Sequence, residues 1–220
     1  MFTMKLLLIA AVLLNIMNAG VFGADPDPLA DYPKGVKNFT LRDIFTNGHV
    51  TIDSGGVRAA TSGPNAKFPA AKSQGLEIVR FKMVPCGVNL PHTHPRATEM
   101  LTLISGGPIQ VGFVDTDGQA FIDILHPGDV TIFPRGLMHF EMNVGCEEAQ
   151  YISALNSQNP GVLTTSEAIL KFPLRTVATA FNITTQHVKE LQSTIYPYGI
   201  GLKRTSKSGC VPGKDVTVDY

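Results

Sequence analysis

The chain has no tryptophan, only three cysteines and no surplus of either charge. Lys+Arg and Asp+Glu number 18 each, so no basic excess exists to neutralise a phosphate backbone. General electrostatic affinity for nucleic acid is thereby excluded. Three cysteines are too few for a disulfide scaffold, and a chain of 220 residues buries a core without one. Charged residues are scarce at 16% against 44% hydrophobic, which excludes a disordered chain. There is no internal repeat and no low-complexity tract. What the chain does have is turn formers: 21 glycines and 15 prolines imply many turns and hence many short strands.

One apolar run stands apart. Lys5 precedes Leu6–Leu14, and Val21-Phe22-Gly23 lead into Ala24-Asp25-Pro26. A positive start, a short apolar centre and a small residue at the cut are the layout of a secretory signal peptide, expected over residues 1–23. Asn15 and Asn18 interrupt the run, so it is not expected to span a bilayer. No later segment approaches a membrane span, and the tail around Lys203–Lys207 is too polar for a lipid-anchor signal. The expectation is a secreted protein without a membrane anchor. Export gives meaning to Asn38-Phe39-Thr40 and Asn182-Ile183-Thr184, both N-glycosylation acceptor triplets. Cys86, Cys146 and Cys210 allow at most one bridge within a chain. Cys86 and Cys146 lie in apolar stretches and read as buried residues.

Residues 24–74 read as an N-terminal arm and a long loop packed on a barrel, the loop running from Ser54 to Ser73. From Gly75 the pattern becomes β. Candidate strands are Leu76–Val84, Thr98–Ser105, Ile109–Asp115, Gln119–Leu125, Asp129–Phe133, Met138–Val144 and Ala149–Asn156. Turn signals at Gly106-Gly107-Pro108, Asp117-Gly118, Pro127-Gly128 and Pro134-Arg135-Gly136 separate them. Short strands so punctuated predict an all-β barrel over residues 75–162. Beyond Pro160-Gly161, residues 163–220 read as a small C-terminal α-helical extension and tail. Thr164 and Thr184 are candidate N-caps, and Val188, Leu191 and Ile195 fall on one helical face. Either the barrel or a neighbouring chain must cover that stripe.

Three of the six histidines crowd into the barrel region with a glutamate. His92 and His94 are two apart and share a strand face. Glu99 opens the next strand, and His139 follows two strands later. Meeting inside a barrel, three neutral imidazoles and one carboxylate make a mixed nitrogen and oxygen site for a divalent transition metal. Such a shell leaves positions open for water or substrate. His49, His126 and His187 are expected to be ordinary surface or turn residues. Strict alternation puts Glu141 and Asn143 on the face of His139, where a carboxylate would need a partner. A bulge or an opening to solvent is expected there.

The stretch from Cys86 through His92, His94 and Glu99 to Gly106 resembles the first motif of the cupin superfamily, Gly-x5-His-x-His-x4-Glu-x6-Gly. Gly128 through Pro134, Gly136 and His139 to Asn143 matches the second, Gly-x5-Pro-x-Gly-x2-His-x3-Asn. Asp25-Pro26-Asp27-Pro28-Leu29 and Asn156-Ser157-Gln158-Asn159-Pro160-Gly161 are phrases typical of germins. The mature chain thus resembles the germin-like proteins. The resemblance implies a cupin (jelly-roll) β-barrel, manganese ion as cofactor on His92, His94, Glu99 and His139, and homo-oligomeric hexamers in the extracellular space, cell wall or apoplast. It also implies a hydrogen bond from Asn89 to a small anionic or oxygen-species substrate.

Departures from the family pattern refine these expectations. Val79 stands where oxalate-oxidising germins carry a second asparagine, and a missing buried donor to a charged substrate costs about 1.5–3 kcal/mol. Cys86 stands where the motif has its first glycine, a position that cysteine would strain if its φ were positive. No cysteine occurs between Ala24 and Pro85, so the N-terminal bridge of plant germins is absent. Superoxide dismutase activity is the favoured expectation. A non-catalytic matrix or cell-wall binding protein is the alternative, and oxalate oxidation ranks below both. A hydrolase or isomerase using the metal as Lewis acid is a further possibility without a nameable substrate pocket.

Overall fold

The computed structural model describes residues 31–196 and 200–214. The signal segment 1–23 and Asp25–Leu29 lie outside the described residues. Among the described residues ten strands form one curled antiparallel sheet. In chain order they are β1 (His49–Asp53), β2 (Gly56–Ala60), β3 (Glu77–Met83), β4 (Val88–Thr93), β5 (Glu99–Val114), β6 (Ala120–Leu125), β7 (Val130–Phe133), β8 (Met138–Leu155), β9 (Leu163–Thr164) and β10 (Leu202–Lys203). Among the described residues four helices accompany them: α1 (Ile44–Asn47), α2 (Thr165–Ile169), α3 (Leu174–Phe181) and α4 (Thr185–Thr194).

Two long strands organise the sheet. β8 pairs with β3 along its second half, with β4 along its first half, and with β5 over nearly its whole length. β5 in turn pairs with β7 at its start and with β6 at its end. The sequence suggests one strand on each side of Gly106-Gly107-Pro108 and one on each side of Gly145; the structure joins each pair into one bent strand. The bend sits where the β5–β8 register shifts between Leu103 and Ile109. Bulges of this kind kink a strand and raise its twist. A Cβ on Gly145 would stand 1.8 Å from the Gly107 carbonyl oxygen, so the two backbones approach too closely for any side chain.

The Ser54–Ser73 segment is the main departure from expectation. It holds β2, which pairs with β1 and β3, and a 3-10 turn at Pro69–Ala71. Its Gly and Ala content masks a strand because those residues have weak β-propensity. Burial explains the choice: Ala59 and Ala60 lie at the wall of the core, 0% and 1% exposed. Large side chains there would have no room.

The core alternates along β3, with Val79, Phe81 and Met83 inward. They meet Leu101, Leu103, Ile109, Val111, Phe133, Tyr151 and Leu155. Phe81 and Tyr151 stack with ring centres 4.3 Å apart. The helices make a smaller second core of Leu170, Val177, Ala178 and Val188, with Ile195 packed against it. The expected helical stripe is therefore mostly covered by its own chain, while Leu191 stays exposed. Thr184 caps α4 by accepting from the His187 amide, as its position suggests. Thr164 precedes α2, but no cap bond from its side chain forms there.

The tail returns to the barrel. β10 pairs with β4 through Leu202 and Asn89, and the Lys203 ammonium meets the Asp53 carboxylate. Cys86 and Cys210 form a disulfide across 124 residues of sequence. Cys86 is thus bridged rather than simply buried, and its φ is +60°, in the region that favours glycine. Cys146 is exposed and unpaired, contrary to the buried position expected from its apolar neighbours. Its place just after the β8 bend, beside polar Glu147 and Glu148, turns it outward. A bridge closing so long a loop restricts the unfolded chain strongly. Cys210→Ser is expected to lower unfolding stability by about 2–4 kcal/mol in urea titrations. Reduced wild type should show the same loss; an unchanged midpoint in both would show that the bridge is not a stabilising element.

Candidate metal centre

Four side chains converge at one end of the barrel. His92 lies near the end of β4, His94 just past it, Glu99 opens β5, and His139 is the second residue of β8. His92 and His139 face each other directly across the β4–β8 pair. The register then shifts: Asn89 faces Glu141, so Leu90 and Pro91 stand opposite Phe140 alone. The bulge predicted for this region exists, but on β4 rather than at Glu141. Proline, lacking an N–H, suits a position outside the ladder.

Each imidazole is fixed from behind. His92 Nδ1 is 2.7 Å from the Leu90 carbonyl oxygen, His94 Nδ1 is 2.5 Å from that of Gly161, and His139 Nδ1 is 2.9 Å from that of Leu137. A carbonyl oxygen can only accept, so each Nδ1 carries the proton and each Nε2 keeps its lone pair. The Gly161 carbonyl is itself held in place. Arg96 Nε donates to the Asn159 carbonyl at 2.6 Å, and a second guanidinium nitrogen donates to Asn159 Oδ1 at 2.8 Å. Gly136 N–H donates to the His94 carbonyl, which ties the Pro134-x-Gly136 turn to the same ligand. Phe133 stacks on His139 with centres 4.5 Å apart, fixing the ring plane.

The four donor atoms all lie within 4.8 Å of one another, and all four residues are buried. Glu99 Oε2 is 3.0 Å from His94 Nε2 and 3.5 Å from His139 Nε2. His139 Nε2 is buried without a hydrogen-bond partner. Lone pairs that converge without a donor between them fit a cation, and three imidazoles with one carboxylate suit a first-row divalent metal. The electrostatics agree. Burial, reinforced by His139 and His94, drives the His92 pKa down to about 3, so this ring is neutral at physiological pH. Burial alone would raise Glu99; the His139 and His94 rings beside it outweigh that and hold the carboxyl well below its ordinary range.

A narrow cavity opens beside the cluster, lined by Asn89, His92, His94, Glu99 and Val79 among others. Val79 contributes an apolar wall, as its sequence position implies. Arg58 and Ser153 also line the cavity and were not legible as site residues. Arg58 hides in the Gly/Ala-rich segment, and a serine in an apolar strand carries no signal of its own. The acceptor residues Asn38 and Asn182 are exposed, the latter in a left-handed conformation at the end of α3. His126 and His187 are exposed as expected; His49 is instead a half-buried strand residue whose Nδ1 lacks a partner.

Glu141 differs from expectation. It points inward at 0% exposure, and neither a β8 bulge nor an opening to solvent relieves it. Neither carboxyl oxygen finds a well-formed hydrogen bond, although the Asn89 amide favours its ionised form. Burial and then the Glu99 charge push its pKa up to about 8. The folded state therefore holds a proton that an unfolded glutamate releases near 4.5. Its contribution to stability is complete below about 4.5 and lost as pH rises through about 8. Metal-free wild type should lose stability between pH 5 and pH 8 in urea titrations, and Glu141→Gln should flatten that decline. Parallel curves for the two proteins would refute the assignment.

Comparison with known proteins places these features. The cupin family profile matches residues 43–189. Germin-like protein subfamily 1 member 7 of Arabidopsis thaliana is 34% identical over 218 residues, covering 86% of this chain and 94% of that protein. Spherulin-1B of Physarum polycephalum is 40% identical over 144 residues, covering 64% of this chain and 57% of that protein. Among solved structures, a recombinant oxalate oxidase in complex with glycolate superposes with a TM-score of 0.67 at 28% identity, covering 77% of this chain and 96% of the other. With a cupin sheet, an inward cluster of three histidines and a glutamate, and a germin-like relative aligned almost end to end, the chain belongs to the germin-like proteins of the cupin family.

Proposed function

We propose that this germin-like protein is exported, binds manganese at His92, His94, Glu99 and His139, and dismutates superoxide there. The observation that carries the reading is the convergence of three Nε2 lone pairs and a carboxylate, each imidazole committed to a backbone carbonyl on its far side. Similarity to an oxalate oxidase structure supports redox use of the same scaffold. A bound manganese ion would supply one-electron chemistry between two oxidation states. The protein's part is to hold that charge with neutral rings and one carboxylate, which leaves the filled site positive and attractive to a small anion. Asn89 lines the cavity, and its amide would donate a hydrogen bond to that anion. The net reaction consumes two superoxide anions and two protons, one anion being oxidised to dioxygen and the other reduced to hydrogen peroxide. The cavity is narrow, which favours so small an anion over a dicarboxylate.

Export is supported by the N-terminal signal layout and by the Cys86–Cys210 bridge, which suits an oxidising compartment. Glycans at Asn38 and Asn182 belong to the same reading, both residues being exposed. Assembly into homohexamers is supported by the outer face of β5 and β7, where Met100, Ile104, Val130 and Ile132 are exposed.

Metal-replete protein should dismutate superoxide, and His94→Ala should lose both the metal and at least about 90% of the activity, since a vacated ligand position weakens affinity by tenfold or more. Elemental analysis of protein purified from its native secretion should find manganese. Equal activity in both proteins would trace the signal to free metal and end the assignment. Sedimentation of the mature protein should give a hexamer; a sharp monomer boundary would remove the assembly.

A further inference from the structure

The cavity carries polar groups that the proposed chemistry leaves unused. Arg58 on β2 pairs with Phe81 of β3. Paired residues on adjacent strands project to the same face of a sheet. Phe81 is a core residue, so Arg58 points inward too, and it lines the cavity beside Asn89, His92, His94 and Glu99. Its guanidinium carbon stands 6.0 Å from the Phe81 ring centre. The residue as a whole keeps some surface exposed, but its charged end is desolvated. That desolvation lowers its pKa from the ordinary arginine value, with Glu77 the strongest opposing influence. Among the described residues no carboxylate reaches ion-pair distance of its nitrogens.

A second group points the same way. Ser153 of β8 pairs with Val79 and Leu101 and lines the same cavity. Its Oγ is buried and has no hydrogen-bond partner. Buried polar atoms are nearly always satisfied in folded proteins, so an unpartnered hydroxyl beside an unpaired guanidinium calls for a polar guest. Val79, Val162 and Ile200 add apolar lining to the same cavity.

We infer that Arg58 is the anion-docking side chain of this site, holding a small anion against the ligand cluster with Ser153 as a second donor. This rests on the reading of the site as one for a small anion and adds the group that recognises it. The guanidinium fork can grip both oxygens of a planar carboxylate, or one end of a linear anion. Lysine would keep the charge and lose the fork.

Azide and formate are the probes, titrated calorimetrically into the manganese-loaded protein. Arg58→Gln should weaken both by about ten- to a hundredfold with metal content unchanged. Arg58→Lys should retain azide better than formate. Wild type binding neither probe would overturn the inference, as would an Arg58→Gln protein that binds formate as tightly as wild type. Should Arg58→Gln fail to fold, Arg58→Lys decides alone, and undiminished formate affinity would overturn the docking role. The two readings separate cleanly. Arg58-dependent azide binding without dismutation removes the activity and keeps the docking; dismutation with Arg58-independent binding does the reverse.

Discussion

The direct pairing of β4 with β8 sets His92 opposite His139, and the rest of the site depends on it. Everything else adjusts around that pair. The β4 bulge at Leu90 and Pro91 turns the Leu90 carbonyl toward His92 Nδ1, so the irregularity that breaks the ladder also fixes a ring. Leu137 does the same for His139, and the Arg96 clamp on the 159–161 loop does it for His94. Three separate backbone carbonyls thereby impose one tautomer. Without them either ring nitrogen could carry the proton, and the lone pairs would not converge.

Long strands make this convergence rigid. β8 supplies His139 at one end and Ser153 and Leu155 to the cavity wall further along, while β5 supplies Glu99 and then bends away at Gly106-Gly107-Pro108. A ligand on a strand is held by its neighbours' hydrogen bonds on both sides, which resists the small displacements that spoil a site. The tail reinforces the same region. β10 pairs beside Asn89, and the bridge from Cys86 to Cys210 pins the turn that precedes β4.

What was legible in the sequence was local. His92, His94, Glu99 and His139 follow from spacing and alternation, and the turn signals mark most strand ends. Two kinds of feature escaped. The first depends on distant partners: the Cys86–Cys210 pairing, the return of Leu202 to β4 and the union of strand pairs into β5 and β8 are all set by contacts far along the chain. The second is a strand disguised by its packing. Ala59 and Ala60 are small because the wall is tight, and small residues read as loop. Arg58 was hidden with them, although as an inward cation it bears most directly on what the cavity accepts. Glu141 was legible as inward but not as sealed, because alternation gives the face and says nothing of solvent access.

The buried charges around the cavity explain why its occupants belong together. Glu77, Glu99 and Glu141 are all buried within electrostatic reach of Arg58. Only Glu99 is lowered, by the His139 and His94 rings beside it. Glu77 accepts from Ser62 Oγ at 2.7 Å yet is raised by burial, and Glu141 is raised by burial without a satisfying bond. Protonation of Glu141 is thus one way the empty cavity avoids uncompensated negative charge. A divalent cation on the cluster reverses that balance, because with Arg58 already positive the cavity then carries an excess of positive charge in a medium of low polarity. A buried excess of either sign is costly, and a small anion beside Arg58 reduces it. Cation and anion sites that share one cavity are therefore mutually supporting, and an arginine that would burden a purely structural barrel becomes intelligible as part of a site built for both.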